Sequence, residues 1–514
     1  MLKDRLSMRI FIRSSILALR AVAPVSIGYC VCRAAGWSWT DNRILGSLVD
    51  GYAAAESVFF LLVYLPRKWF LSRPAPPSTP LPTPAQRKSL FLKTWEATSD
   101  PRGYLSGWFK GAPVEELHRE DVKDFFSWRM WNDQTERVGE DEAELSEYVA
   151  IAEDILQCKF PPGRSDKTCM AVTYEPLRMR HRPLIWYLLF VGAVDLQFTV
   201  SMWIYRYRHY TPSLRHSLLT LPPRPLTLLG SRRSPATHLS YWSTPHTSTE
   251  HLPILFLHAI GVGLQFYLPF FAEFKATLKK RGIGIIAIEL LPVSSRITSA
   301  LPSPQTTTTE IAEILRHHDW DRVVLASHSY GSAVATWLLR DPETARMIGP
   351  LLFVDPVAFS FHAPAVPWNF LRREPRTASE WQLWYFASTD PDVVVTLTRR
   401  FDWVANSLWR DDVIRERGSD SGQSANGSWG CTVVLGGQDI ITDVENLGKH
   451  LMQYNGSANE TVEDSDMNWK DREWTGEGLE VVWREELNHA EAFDKALDRN
   501  MLLGILETYS KKEI

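Results

Sequence analysis

One stretch of the sequence decides the fold: Val323-Val324-Leu325-Ala326-Ser327-His328-Ser329-Tyr330-Gly331-Ser332. It begins as an apolar run, which is typical of a buried parallel strand, and then changes to small residues and a helix-like segment. A serine on a sharp turn between a strand and a helix needs almost no side chain two positions before and after it. Gly331 meets this requirement, and Ser327 stands where the usual pattern has a second glycine. We therefore predict a strand, a strained turn at Ser329 and a helix.

A second apolar run predicts another buried strand, Pro253-Ile254-Leu255-Phe256-Leu257-His258, followed by a glycine-containing loop. Acyl transfer needs two backbone N–H groups aimed at the oxygen that becomes negative. One comes from the residue after the nucleophile and the other from an earlier loop. The candidates are Tyr330 and Ile260. Taken alone, the loop is equally compatible with an ordinary exit from a strand.

Two more strand-like runs are followed by a carboxylate and by a histidine. Residues 431–435 are apolar and precede Asp439, while residues 479–483 form a shorter run that precedes His489. Asp439 is therefore placed to orient a histidine, and His489 lies on a loop where it could act as a general base. Asp355 also ends an apolar run, so it remains an alternative for the acid.

The order serine, acid, histidine, each after a strand-like run, is the order in which the α/β-hydrolase fold supplies these residues. The chain resembles that superfamily over roughly residues 236–511. The resemblance implies an α/β fold with a mostly parallel central sheet flanked by helices. It also implies a helical cap inserted at about residues 359–425, where many aromatic residues favour an apolar pocket.

By the same resemblance, the protein is an esterase- or lipase-like serine hydrolase. Ser329 would attack an acyl carbonyl, His489 would take its proton and return it to the leaving group, and Asp439 would fix the imidazole tautomer. The backbone N–H groups of Ile260 and Tyr330 would form the oxyanion hole. This chemistry implies no metal and no cofactor.

Two classes of function remain open at this point. The first is hydrolysis of an ester of an apolar or lipid-like acid, with an acyl acceptor other than water also possible. The second is a catalytically silent protein that binds a hydrophobic ligand or partner in the same pocket. A binding protein has no need of a serine at this turn, so the sequence favours the first class.

The composition is that of a well-packed protein. The chain has 514 residues, of which 45% are hydrophobic and 23% are charged. A formal net charge of −4 gives no support to nucleic-acid binding. Five scattered cysteines predict neither a disulfide framework nor a zinc site.

Proline-rich stretches divide the chain into segments. We predict an apolar, membrane-associated segment at residues 1–72, a linker at 73–84, a largely helical region at 85–210, a second linker at 211–235 and the hydrolase domain at 236–514.

Three apolar segments predict association with a membrane. In the first, residues 10–32, Arg13, Arg20 and Pro24 leave no uninterrupted span of about twenty residues, so we expect a poor transmembrane helix. The second, residues 45–65, contains acidic residues that count against burial in lipid.

The third segment, residues 183–205, is the strongest of the three and is flanked by arginines. Basic residues at the start of the chain and at Arg67 and Lys68 would place both ends of a hairpin of the first two segments in the cytosol. If the third segment also crosses, the catalytic half reaches the lumen and three glycosylation sequons become available. These sequons are at Asn426, Asn455 and Asn459. The sequence leaves the compartment open.

Overall fold

The computed structural model describes residues 2–73, 82–132, 137–414, 429–452 and 469–512. The three sequons, most of the predicted linker at residues 73–84 and the last part of the predicted cap lie outside these residues.

Nine strands form one sheet. In chain order they are β1 (Arg208–Thr211), β2 (Arg232–Arg233), β3 (Ser240–Ser243), β4 (Ile254–Leu257), β5 (Ile285–Glu289), β6 (Val323–His328), β7 (Ile348–Val354), β8 (Cys431–Gly436) and β9 (Leu479–Arg484). Their order across the sheet is β2-β1-β3-β5-β4-β6-β7-β8-β9. All neighbours from β5 to β9 run parallel, and β3 is antiparallel to both β1 and β5. The predicted mostly parallel sheet is confirmed.

Successive side chains of the central strands point to opposite faces of the sheet and enter two separate hydrophobic cores. In β4, Leu255 and Leu257 belong to one core, whereas Ile254 and Phe256 belong to the other. Both faces are therefore buried, which explains why these strands are continuous apolar runs rather than alternating ones.

The helices of the N-terminal region are α1 (Leu6–Ala34), α2 (Arg43–Val58), α3 (Leu65–Leu71), α4 (Pro84–Glu96), α5 (Pro101–Trp108), α6 (Arg119–Trp131), α7 (Glu140–Leu156) and α8 (Gly192–Ile204). A π-helical turn, Phe59–Tyr64, joins α2 to α3, and another, Trp186–Val191, precedes α8. This region is largely helical, as predicted. Buried residues of α4 to α7 share one hydrophobic core with one face of the sheet.

The remaining helices surround the sheet. They are α9 (Leu214–Leu218), α10 (Pro225–Gly230), α11 (Leu268–Ala276), α12 (Pro304–His317), α13 (Gly331–Arg340), α14 (Pro342–Met347), α15 (Ala365–Pro367), α16 (Ala378–Leu383), α17 (Pro391–Arg399), α18 (Arg410–Val413), α19 (Val444–Met452) and α20 (Ala496–Ser510). Helices α15 to α18 lie between β7 and β8, so the predicted cap is helical as far as the structure describes it.

The sheet begins earlier than the predicted boundary at residue 236. Strand β1 precedes the proposed linker at residues 211–235, and β2, α9 and α10 lie within it. The residues of the predicted linker thus form regular elements and the edge of the sheet.

Helix α1 continues without interruption through Pro24 over 29 residues. Arg13 and Arg20 interrupt the apolar sequence, as expected, but the expectation of a poor transmembrane helix is wrong by length and composition. Both arginines are exposed, and long side chains can direct their charge away from an apolar surface. Three helices are long and apolar enough to cross a membrane: Leu6–Ala34, Arg43–Leu71 and Trp186–Ile204.

Helices α1 and α2 pair as an antiparallel hairpin, since residues near the end of α1 contact the middle and end of α2. Asp50 accepts hydrogen bonds from Tyr29 and Arg33, and Cys30 lies 3.6 Å from Ser57 between their sulfur and oxygen atoms. The acidic residue that counted against burial in lipid is thus paired within the hairpin.

Candidate active site

Ser329 lies on the sharp turn between β6 and α13. Its φ angle is 50°, in the left-handed region that residues with a side chain rarely adopt, and its backbone N–H donates to the carbonyl oxygen of Val354 at 3.0 Å. A Cβ atom at Gly331 would lie 2.4 Å from the carbonyl oxygen of Leu257, so the turn requires glycine there. Ser327 is buried, and its hydroxyl has no hydrogen-bond partner among the residues that the structure describes.

Three of the predicted residues, Ser329, His489 and Asp439, form one hydrogen-bonded row. His489 Nε2 lies 2.8 Å from Ser329 Oγ, and His489 Nδ1 lies 2.7 Å from Asp439 Oδ2. An ionised carboxylate can only accept hydrogen bonds, so the proton of the neutral ring lies on Nδ1. Nε2 is then free to accept the proton of the serine hydroxyl.

The carboxylate of Asp439 is fixed by the backbone that follows it. Its Oδ1 accepts hydrogen bonds from the N–H groups of Ile441 at 2.7 Å and of Thr442 at 3.1 Å. The side chain is fully buried. These contacts leave Oδ2 directed at the imidazole, which holds the ring in one orientation and one tautomer.

Asp355, the alternative acid, accepts hydrogen bonds from two separate backbone segments next to the row of Ser329, His489 and Asp439. Its Oδ2 accepts a hydrogen bond from the N–H of Ala490 at 2.8 Å, and its Oδ1 accepts one from the N–H of Gly436 at 3.1 Å. It therefore ties the loop that carries His489 to the end of β8. Of the two candidate acids, Asp439 is the one that contacts the imidazole.

Opposing effects act on the pKa values at this site. Burial lowers the pKa of His489, but the charge of Asp439 and its hydrogen bond raise it, with a further contribution from Asp355, and the net pKa lies above the ordinary 6.5. Burial also raises the pKa of the Asp355 carboxyl to about 6. The Asp439 carboxylate thus overcomes the cost of burying a charged imidazole, which is the balance that a general base needs.

The two predicted oxyanion-hole residues, Ile260 and Tyr330, line the same cavity as Ser329 and His489. Neither of their backbone N–H groups donates a hydrogen bond to another residue within the described ranges. Both groups are thus available to a bound oxygen atom. Gly261, next to Ile260, has a φ angle of 150°, so the loop needs the freedom of glycine at that position.

Tyr267 connects this loop to the turn at Ser329. Its hydroxyl accepts a hydrogen bond from the N–H of Ala259 at 3.0 Å and donates one to His328 Nδ1 at 2.5 Å. Burial keeps the pKa of His328 well below its ordinary value, so the ring is neutral and can accept this bond. Tyr267 thus fixes the relative positions of Ile260 and Ser329. No motif marks it; a polar-tipped aromatic residue shortly after the loop is the only signal in the sequence.

The cavity above Ser329 has a volume of about 780 Å³, within the range of ligand sites in proteins. Four aromatic side chains of the predicted cap line it, namely Phe361, Phe370, Phe386 and Trp403. Most of its remaining side chains are aliphatic or aromatic. An apolar group attached to a reacting carbonyl would therefore be desolvated favourably here.

Residues 254–490 match the model of a family described as the alpha/beta hydrolase family. The match begins with β4 and ends one residue beyond His489, so it includes the whole hydrogen-bonded row. These residues are therefore similar to the α/β-hydrolase family, and the mostly parallel sheet around them is that of the α/β-hydrolase fold. The α/β-hydrolase match excludes α1 to α8, and a comparison with curated protein sequences gave no match.

Several solved structures are similar in fold to this chain. A carboxylesterase from Bacillus subtilis has 12% sequence identity and a TM-score of 0.36, with 62% of this chain and 99% of that chain covered. A membrane phospholipase A, described as a bacterial virulence factor, has 12% identity and a TM-score of 0.36, with 63% and 94% covered. A thermophilic esterase from Thermogutta terrifontis has 12% identity and a TM-score of 0.34, with 53% and 94% covered.

Proposed function

We propose that this chain is a serine hydrolase that cleaves esters of apolar, lipid-like acids through an acyl-enzyme on Ser329. The observation that carries the proposal is the hydrogen-bonded row of Ser329, His489 and Asp439, with Ser329 at the floor of a largely apolar cavity. A silent binding protein would need the cavity but not the row.

In the proposed reaction, Ser329 Oγ attacks the ester carbonyl while His489 Nε2 takes the hydroxyl proton. The carbonyl oxygen becomes an oxyanion, which the N–H groups of Ile260 and Tyr330 stabilise. His489 then gives its proton to the departing alcohol, and a water molecule attacks the acyl-enzyme with the same histidine as base. Asp439 stabilises the imidazolium in both steps.

We also propose that the protein associates with a membrane. The helices Leu6–Ala34 and Arg43–Leu71 support this proposal, because most of their apolar side chains face away from the rest of the protein. Such large exposed apolar surfaces on soluble proteins are rare and indicate an interaction with a partner or with lipid. The span of each helix matches the thickness of a bilayer.

The helix Trp186–Ile204 differs from the first two, since one of its faces packs on the sheet domain. Its Asp195 is buried between Arg224 and Arg296 and forms ion pairs with both. A helix that is tied to a folded domain along its length cannot be surrounded by lipid. We therefore favour an interfacial position for it, with its outer apolar face toward the membrane.

Labelling with a fluorophosphonate probe tests the catalytic proposal, because the probe forms a covalent bond only with an activated serine. We expect one modified residue in the full chain, Ser329, and loss of labelling in Ser329→Ala and in His489→Ala. Ser146→Ala is the control, since this serine lies in α7, outside the cavity lining, and its hydroxyl donates to Glu142 at 3.2 Å. A wild-type chain that stays unlabelled while folded would favour the silent binding protein.

A further inference from the structure

Helix α1 forms one wall of the cavity above Ser329, although it is remote in sequence. Five of its residues line the cavity: Phe11, Ile12, Ser15, Ala18 and Leu19. The helix is fixed in this position by the cap, because Ile12 and Ile16 pack with Ala378 and Tyr385 in one buried cluster. The catalytic cavity is therefore incomplete without this helix.

A second apolar helix also contributes to the wall of the cavity. Trp186 and Phe190, from the start of Trp186–Ile204, also line the cavity. Phe11 of α1 is 61% exposed and Phe190 is 53% exposed. Both side chains thus contribute to the cavity and to the outer surface, which marks the place where the cavity opens.

Both helices expose large apolar side chains on their outer surfaces. On α1 the exposed large apolar side chains are Leu6, Met8, Ile10, Phe11, Leu17, Val25 and Val31, with exposed Arg13 and Arg20 between them. On the helix Trp186–Ile204 they are Leu188, Leu189, Phe190, Val194, Leu196, Val200 and Ile204. Because both helices are long and apolar enough to contact the core of a bilayer, the opening would face lipid in the membrane-associated state proposed above.

The described lining of the cavity contains no lysine or arginine that could neutralise an anion. Among its described lining residues there is no lysine, arginine, aspartate or glutamate, and His328 and His489 are its only titratable side chains besides tyrosines. The pKa of His328 lies well below its ordinary value because of burial, so it carries no positive charge. An unpaired phosphate in such surroundings would lose its hydration without compensation.

We infer that the substrate is an uncharged acyl ester that resides in a bilayer, of the acylglycerol type, and that it passes from the lipid to Ser329 between α1 and the helix Trp186–Ile204. This inference rests on the proposed hydrolase activity. The wall of α1 supplies the contacts for the acyl chain, and the absence of buried cations selects against a charged headgroup.

The test uses the full chain in vesicles of ether-linked phosphatidylcholine, which has no ester to cleave. Dioleoylglycerol is compared with dioleoylphosphatidic acid, which has the same acyl chains and an anionic headgroup, and the release of oleate is measured. We expect turnover of dioleoylglycerol to be at least about tenfold faster, because the cavity offers the phosphate no counter-charge. Equal turnover, or faster turnover of the acid, would overturn the inference.

A pair of variants on neighbouring positions tests the role of α1. Ala18 lines the cavity, whereas Leu17 is 68% exposed and lies outside the cavity lining. We expect Ala18→Trp to lower dioleoylglycerol turnover by about tenfold or more because the indole fills the acyl site. Leu17→Trp should stay within about twofold of the wild type.

Two outcomes contradict the role of α1: unchanged turnover in Ala18→Trp, or an equal loss in both variants. Thermal unfolding monitors the fold, and if Ala18→Trp fails to fold, Ala18→Leu provides the same comparison with a smaller expected loss. Fluorophosphonate labelling of Ser329 in the wild type tests the proposed hydrolase activity independently of the lipid preference. Labelling without a preference for the neutral lipid would therefore refute this inference alone, and absence of labelling would refute the activity itself.

Discussion

Asp355 Oδ2 accepts a hydrogen bond from the backbone N–H of Ala490 at 2.8 Å. Ala490 follows the proposed general base directly and has a φ angle of 70°, a conformation that residues with a side chain rarely adopt. The carboxylate therefore holds a strained backbone position and, through it, the imidazole of His489. It acts as a positioning residue, while Asp439 contacts the ring.

The two carboxylates can be separated by substitution. We expect Asp439→Asn to lower kcat by about 10²- to 10⁴-fold, because the ring loses the partner that fixes its tautomer. Asp355→Asn should lower kcat by only about tenfold, with little change in KM. A tenfold change in rate corresponds to the net free energy of about one hydrogen bond, here the one to the backbone of the loop. Hydrolysis of a soluble aryl ester by the full chain measures both, after thermal unfolding has shown similar stability. A much larger loss in Asp355→Asn would mean that the acid has been assigned to the wrong residue.

The pH profile of kcat/KM reports the pKa of His489. Only the neutral imidazole can accept the serine proton, so activity falls as the pH drops through this pKa. Because the pKa is raised, we expect half-maximal activity above pH 6.5. In Asp439→Asn the midpoint should move to lower pH, since the charge that raises the pKa of His489 has been removed while burial, which lowers it, remains. A midpoint that stays in place or rises in the variant would contradict this account.

Much of the proposed site could be predicted from the sequence. Ser329, Asp439 and His489 each follow a strand-like run, and the carboxyl ends of parallel strands meet at one edge of a sheet, so order along the chain implies proximity in space. The requirement for glycine at position 331 follows from the same local geometry. These features depend on short segments and are therefore visible in the sequence.

Other features could not be predicted because they depend on packing between distant segments. Strand β1, Arg208–Thr211, is short and polar, so no apolar run marks it, and it forms by pairing with β2 and β3. Tyr267 becomes important through its contact with His328, 61 residues further along the chain. The contribution of α1 to the cavity requires a helix to fold back over the cap, which no local pattern encodes.

The turn at Ser329 should tolerate no side chain at position 331. In Gly331→Ala the new Cβ would lie 2.4 Å from the carbonyl oxygen of Leu257, a backbone atom of a central strand. We expect the free energy of unfolding to fall by about 1–3 kcal/mol or more, together with a loss of activity as Ser329 shifts. Gly504→Ala in α20 is the matched control, because open space surrounds that position and alanine should stabilise the helix by about 0.5–1 kcal/mol. Urea denaturation measures both, and equal stability of the two variants would contradict the predicted contact.

The last prediction concerns the side of the membrane on which the catalytic half lies. The ion pairs of Asp195 with Arg224 and Arg296 fix the helix Trp186–Ile204 to the sheet domain, so this helix should lie at the interface and not cross. The hairpin of α1 and α2 brings the chain back to the side from which it starts. We therefore expect the catalytic half to share the cytosolic side with the N-terminus.

Two measurements on the full chain in sealed microsomes check this arrangement. Glycosidase treatment should cause no mobility shift, since the sequons at Asn426, Asn455 and Asn459 stay in the cytosol. An impermeant maleimide should label Cys158, which is partly exposed beyond α7, with Cys158→Ser as the control for the modified site. A shift on deglycosylation would contradict the cytosolic arrangement, because the helix Trp186–Ile204 would then have to cross despite its buried ion pairs. Recovery of the intact chain in the soluble fraction at low salt, without detergent, would contradict membrane association itself.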